Sequence, residues 1–111
     1  MNLILEEVNS ISIAILTCCD LDAENSDQFM KEIDPYLVER SKIVLDLRTL
    51  QFVDSSGLGA LLSCNRKLQN VGGALVLCCL TEPVREIVEL VRFHKILNIR
   101  PSREEAIHEL T

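Results

Sequence analysis

The sequence predicts one α/β domain over residues 1–111, built on a single mixed, mostly parallel sheet with helices packed on it. Three observations point there. Two apolar runs, residues 42–47 and 74–80, each lead through a short link into a helical stripe. Such strand–helix–strand units wind right-handed and leave their strands parallel. Two further apolar runs open the chain on either side of Asn9-Ser10, as an antiparallel hairpin would. Finally, 111 residues that are 48% hydrophobic and 25% charged suffice for one core without staples and are too apolar for a disordered chain.

The elements follow in order. In "LILEEV" and "ISIAIL", Ile11, Ile13 and Ile15 recur at period two, the spacing of one strand face. Residues 18–22 read as loop. Between 23 and 39 the period changes: Phe29, Ile33, Tyr36 and Leu37 form one stripe of a helix. Pro35 has no N–H to donate and should kink that helix or split it. "KIVLDL" (42–47) is almost wholly apolar, as a strand covered on both faces should be. Over 56–70, Leu58, Leu61, Leu62, Asn65 and Leu68 take helical spacing and Gly72-Gly73 supplies the stop. "ALVLCCL" (74–80) is a second buried strand. Thr81 is placed to cap the next helix, with Pro83 tolerated in its first turn and Val84, Ile87, Val88 and Val91 as its stripe. Ser102-x-x-Glu105 is a capping-box pattern that opens a short last helix carrying Ala106, Ile107 and Leu110.

Charge and composition narrow the function. A net charge of −6 argues against a nucleic-acid surface, which shows a basic stripe. The acidity is uneven: residues 20–39 carry seven acids and one base, residues 40–70 five bases and two acids. The first block reads as a solvated acidic face. No run is long enough to span a membrane and none resembles a targeting segment, so a cytoplasmic protein without membrane insertion is expected. Cys18, Cys19, Cys64, Cys78 and Cys79 are odd in number and lack a C-x-x-C, which disfavours a disulfide framework or zinc site. They read as reduced core or half-buried thiols, with redox sensing by a vicinal pair as the minority reading.

The chemistry concentrates in "FVDSSGLGALL" (52–62), where a strand gives way to a helix. The first turn of a helix has unpaired N–H groups, and Asp54, Ser55 or Ser56 could each cap one. A cap needs a single such side chain, and three are consecutive here. The same N–H groups and the helix dipole favour negative charge, so a phosphate added to a hydroxyl there would meet donors already aimed at it. Asp54 could orient a serine hydroxyl or repel the phosphate outward; these residues do not choose between those roles, nor between Ser55 and Ser56. Catalysis is poorly supported. A nucleophilic serine needs an oriented base, and His94 and His108, the only histidines, both fall in the C-terminal helical part. There is no G-x-S-x-G, P-loop or G-x-G-x-x-G. Glu6-Glu7 and Glu104-Glu105 read as solvated, and Arg48, Asp20, Asp22 and Asp46 have no spacing that names a reaction. A nucleotide pocket at Asp22, Asp54 and Ser55 would set clustered acids against an anion.

"IVLDLRTLQFVDSSGLGALLSCNRKLQNVGGALVLCCLTEPVREIVEL", together with "DLDAEN" and "ILNIRPSREEAIHEL", closely resembles the STAS-domain family, the anti-sigma factor antagonists and their relatives. The resemblance implies a mixed, mostly parallel sheet of 4–5 strands with about four helices packed largely on one face. It implies no enzymatic activity and no cofactor. It places phosphorylation at Ser56, by an anti-sigma factor that is itself an ATP-dependent serine kinase, and partner contact at Asp22, Asp54, Ser55, Gly57 and Leu58. The unphosphorylated form would bind the anti-sigma factor and free a sigma factor, and a serine/threonine phosphatase would reset the switch. The alternative within the family is a constitutive interaction subunit of a stress-signalling or lipid-transport complex. Two positions depart from the family pattern: Cys19 and Arg92 stand where relatives often have glycine.

Overall fold

A computed structural model describes residues 2–111. In chain order its strands are β1 (Leu3–Val8), β2 (Ile11–Leu16), β3 (Asp20–Leu21), β4 (Lys42–Asp46), β5 (Phe52–Val53), β6 (Ala74–Cys78) and β7 (Asn98–Arg100). Its helices are α1 (Ser26–Ile33), α2 (Ser55–Asn70), α3 (Glu82–Leu90) and α4 (Arg103–Leu110), with 3-10 turns at Asp34–Tyr36 and Phe93–Lys95.

The five-stranded sheet runs β1-β2-β4-β6-β7. β1 and β2 form the expected antiparallel hairpin, and every other neighbouring pair is parallel. Asn9 and Ser10 turn the hairpin with φ of 51° and 67°, the left-handed pair of a two-residue turn whose twist matches that of the strands. β3 and β5 pair separately as a small parallel ribbon, Asp20 opposite Phe52 and Leu21 opposite Val53.

The period-two pattern places side chains on two faces. Ala14, Leu16, Ile43, Leu45, Leu75 and Leu77 pack against Phe29 and Ile33 of α1, Leu58, Leu61 and Leu68 of α2, and Val84 and Val88 of α3. On the opposite face Ile11, Ile13, Val44, Val76 and Cys78 pack against Ala106 and Leu110 of α4, with Ile15 beside them. Three helices thus share one face and α4 alone covers part of the other.

α4 is also held electrostatically. The alternation that faces Ile43 and Leu45 toward α1–α3 turns Asp46 toward α4, where it is fully buried. Arg103, in the first turn of α4, donates to Asp46 Oδ2 at 2.9 Å, and Arg48 Nη2 lies 2.8 Å from the same oxygen. The Arg48 backbone N–H donates to Asp46 Oδ1 at 3.0 Å. Burial alone would raise this carboxyl group; the bonds from Arg48 and Arg103 outweigh it and hold the group below the usual carboxylate range.

Several expectations are corrected in detail. The helix expected over 23–39 is only Ser26–Ile33, because Pro35 diverts the chain into the 3-10 turn and Ala23–Asn25 belong to a loop. Thr81 does precede α3, but its hydroxyl donates to the Leu50 carbonyl at 2.6 Å instead of capping the helix. Ser102 caps α4 as expected, accepting from the Glu105 N–H at 3.2 Å. Cys64 and Cys78 are core thiols, Cys64 being pushed up to about 12 by burial, but Cys19 is exposed. Arg92 has φ 65°, the left-handed conformation glycine adopts freely, at a cost of about 1 kcal/mol for an L side chain. Cys19 has no such φ, so that position does not demand glycine. Among the described residues no helix is long and apolar enough to cross a membrane.

Candidate functional site: the start of helix α2

The ribbon β3–β5 positions the site. Val53 is buried, Phe52 on the other side of the strand stays 48% exposed, and the chain then turns into α2 at Asp54. Asp54 is the N-cap, with extended backbone at φ −101° and ψ −170°. Its Oδ1 accepts from the Gly57 N–H at 2.9 Å, and its carbonyl accepts the first helical bond, from the Leu58 N–H at 2.9 Å. Its Oδ2 accepts from the Ala23 N–H at 3.1 Å. One carboxylate therefore ties the start of α2 to the loop between β3 and α1. Among the described residues Asp54 accepts from backbone amides and makes no hydrogen bond to Ser55 or Ser56, so it does not orient a serine hydroxyl.

Asp22 shapes the opposing loop. Its Oδ1 accepts from the Glu24 N–H at 2.9 Å, its N–H donates to Asn25 Oδ1 at 2.9 Å, and its carbonyl accepts from the Ser26 N–H at 2.9 Å. Asn25 Nδ2 in turn donates to the Asp20 carbonyl at 2.7 Å. Asp22 and Asp54 thus lie on two sides of one loop–helix junction.

Ser55 and Ser56 are the first two residues of α2, and both are exposed. Their N–H groups precede the first intrahelical donor, Leu58, and Asp54 takes the N–H of Gly57. The two serines accordingly present hydroxyls beside unpaired amides at the positive end of a 16-residue helix. Gly57 and Leu58 point inward. Leu58 is 7% exposed and sits in the core. A Cβ on Gly57 would stand 2.2 Å from the Leu21 carbonyl oxygen and 2.6 Å from Val53 Cγ2, so only glycine lets the helix start lie against β3. Neither His94 nor His108 hydrogen-bonds to a serine: His94 lies in the 3-10 turn after α3 and His108 in α4.

Sequence reasoning missed the Ala23 amide, the Asn25 clamp and exposed Phe52. Ala23 lies 31 residues from Asp54 and carries no polar side chain to betray the contact. Phe52 was readable in principle, since its neighbour Val53 takes the buried side of an alternating pair.

Removing the Asp54 carboxylate is expected to cost about 2 kcal/mol, roughly 1 for the cap and about 1 for the second backbone bond. Urea unfolding of Asp54→Ala checks this, and Asp54→Asn, which keeps an acceptor, should recover part of the loss.

Fold and site together define a small α/β domain that presents a helix start, framed by an acidic loop, on a mixed five-stranded sheet. The chain belongs to the STAS domain family, whose model matches residues 4–106. It is similar to the anti-sigma F factor antagonist of Paenibacillus polymyxa, 32% identical over 113 residues that cover 99% of this chain and 97% of that protein. Among solved structures it resembles the anti-sigma factor antagonist SpoIIAA in its unphosphorylated form, with a TM-score of 0.76 and 26% identity over 97% of this chain and 95% of the other. The phosphorylated form of SpoIIAA from Bacillus shares the fold at a TM-score of 0.70 and 24% identity, covering 98% and 99% of the two chains.

Proposed function

We propose that this STAS domain is an anti-sigma factor antagonist switched by phosphorylation of Ser56. In its unphosphorylated form it binds an anti-sigma factor with serine-kinase activity and thereby releases a sigma factor in the cytoplasm. The kinase transfers the γ-phosphoryl group of ATP to Ser56, and a serine/threonine phosphatase hydrolyses the ester. The observation that carries the reading is the pair of exposed serines, Ser55 and Ser56, on the first turn of α2, beside amides that take no partner among the described residues; the family resemblance selects Ser56 of the two. The similarity to an anti-sigma F factor antagonist and to SpoIIAA, solved in both forms, supports it.

Partner contact falls on Ser55, Asp22 and the rim of Asp54, while Gly57 and Leu58 act from inside by seating the helix. A phosphate at Ser56 adds a charge of about −1.5 to −2. The helix start accommodates it and the fold is retained, but a partner shaped for a neutral surface then meets a dianion. Like-charge or unpaired-charge contact costs an interface heavily.

The test combines affinity capture by a kinase-type anti-sigma factor, with adenine nucleotide, and intact-mass measurement. The wild type should be captured and then gain one phosphate. Ser56→Ala should be captured without gaining it, and Ser56→Asp should be captured poorly. Full phosphoryl transfer to Ser56→Ala would show that the site is wrong, and failure of kinase-type anti-sigma factors to capture the folded wild type would show that the partner is wrong.

A further inference from the structure

We propose that Asp46, Cys78 and Cys79 form a binding site for a soft divalent cation of the zinc or cadmium type, which displaces the Arg48 guanidinium on entry. These three residues belong neither to the helix start nor to its loop.

The site follows from sheet register and one unusual backbone angle. β4 and β6 are parallel neighbours with Asp46 directly opposite Cys78, so both side chains point to the α4 face. In a continuing strand Cys79 would point to the other face. Cys79 instead has φ 60°, which breaks the alternation. A carboxylate oxygen and two sulfurs consequently lie within 4.8 Å of one another, the one group of three such donors among the described residues. A non-glycine residue in this left-handed conformation is strained. That strain goes into bringing two adjacent thiols together.

The donor set selects the ligand. Two thiols and one carboxylate suit zinc or cadmium, with water completing a tetrahedron, and suit magnesium or calcium poorly. Zinc–sulfur bonds of about 2.3 Å set tetrahedral sulfurs roughly 3.8 Å apart. The three donor atoms lie within 4.8 Å of one another, near that spacing, and Cys79 is half-buried.

A cation is already drawn to this point. Arg48 Nη2 lies 2.8 Å from Asp46 Oδ2 and 3.8 Å from Cys79 Sγ. The Arg48 side chain is 57% exposed and can swing into solvent, opening a path past Cys79. Arg103, 29% exposed and fixed in α4, keeps its bond to Asp46 Oδ2 and orients the carboxylate, as partners of metal ligands do. Binding breaks the two S–H bonds, forms two metal–thiolate bonds and releases two protons to solvent. No electrons are transferred. The other vicinal pair, Cys18 and Cys19, belongs to no such group.

The test uses the reduced full-length chain with Cys18→Ser and Cys19→Ser, titrated with cadmium and followed by sulfur-to-cadmium charge-transfer absorption. The band should appear and saturate at a single cadmium per chain. Adding Cys79→Ser should diminish the band and weaken binding at least about tenfold, since even partners of ligands are worth that much. Adding Arg48→Ala should tighten binding, by up to about fivefold, because the largely solvated Arg48 guanidinium that competes with the metal for buried Asp46 is gone. No band, a band undiminished by Cys79→Ser, or weaker binding in Arg48→Ala would each overturn the proposal. Arg48→Ala leaves the core intact, so its arm reads binding independently of folding.

Discussion

Gly57→Ala is expected to destabilise the domain by about 2 kcal/mol net, while Gly59→Ala, two residues on in the same helix, is expected to stabilise it by about 1 kcal/mol. Both substitutions carry the same helix-propensity gain of about 1 kcal/mol. Their surroundings decide the sign. At Gly59 an added Cβ meets nothing within 4 Å. At Gly57 it meets the Leu21 carbonyl oxygen at 2.2 Å, a backbone atom held by the β3–β5 ribbon and by the Asp54 N–H at 3.3 Å. That atom cannot rotate away as a side chain could, so relief requires α2 and the ribbon to separate. Overpacking of this kind typically costs 1–3 kcal/mol, occasionally more. Urea midpoints at unchanged m-value give both numbers. Equal effects at the two glycines would show that α2 does not seat against β3 as described.

Asp46→Ala is expected to cost about 3–5 kcal/mol, the range for breaking a buried pair by removing one partner. It leaves Arg103 without its main counter-charge, and the Nε of Arg103 is already buried without a hydrogen-bond partner. Arg48→Ala should cost under about 1 kcal/mol, since that side chain is mostly solvated. The same carboxylate shapes the acid limb. Its folded-state pKa is depressed by Arg48 and Arg103 acting against burial. Its stabilisation is therefore fully present above the unfolded carboxylate value of about 3.9 and is lost as pH falls through the lower folded value. Wild type should lose stability steeply on acidification below about pH 4, and Asp46→Asn should start lower and follow a flatter curve. Parallel curves would mean that the pairing is not what depresses the group.

Much of this was legible in the residues because their period reports burial. Ile11, Ile13 and Ile15 named one strand face, and Leu58, Leu61 and Leu68 named the buried side of α2, without help from the rest of the chain. The start of α2 was legible for the same reason: an apolar strand, then Asp-Ser-Ser-Gly, then an apolar helix leaves few places for the boundary. What escaped was what depends on distant partners. β3, β5 and β7 are two or three residues long and exist through their pairing, so no internal period marks them. The bond from Ala23 to Asp54 joins a side chain to a featureless backbone amide. Asp46 and Arg103 are 57 residues apart, and only the packing of α4 on the second face brings them together. The Asp46–Cys78–Cys79 group likewise needs the β4–β6 register and the turn at Cys79. Vicinal cysteines alone argue for nothing.

The most direct measurement is a paired titration of the unmodified chain, and of the same chain phosphorylated at Ser56, against a kinase-type anti-sigma factor with adenine nucleotide, beside thermal melts of both forms. Closely matching melts are expected, because the first turn of α2 receives the phosphate on free amides, together with binding at least about tenfold weaker for the phosphorylated chain. Equal affinities for the two forms would contradict it.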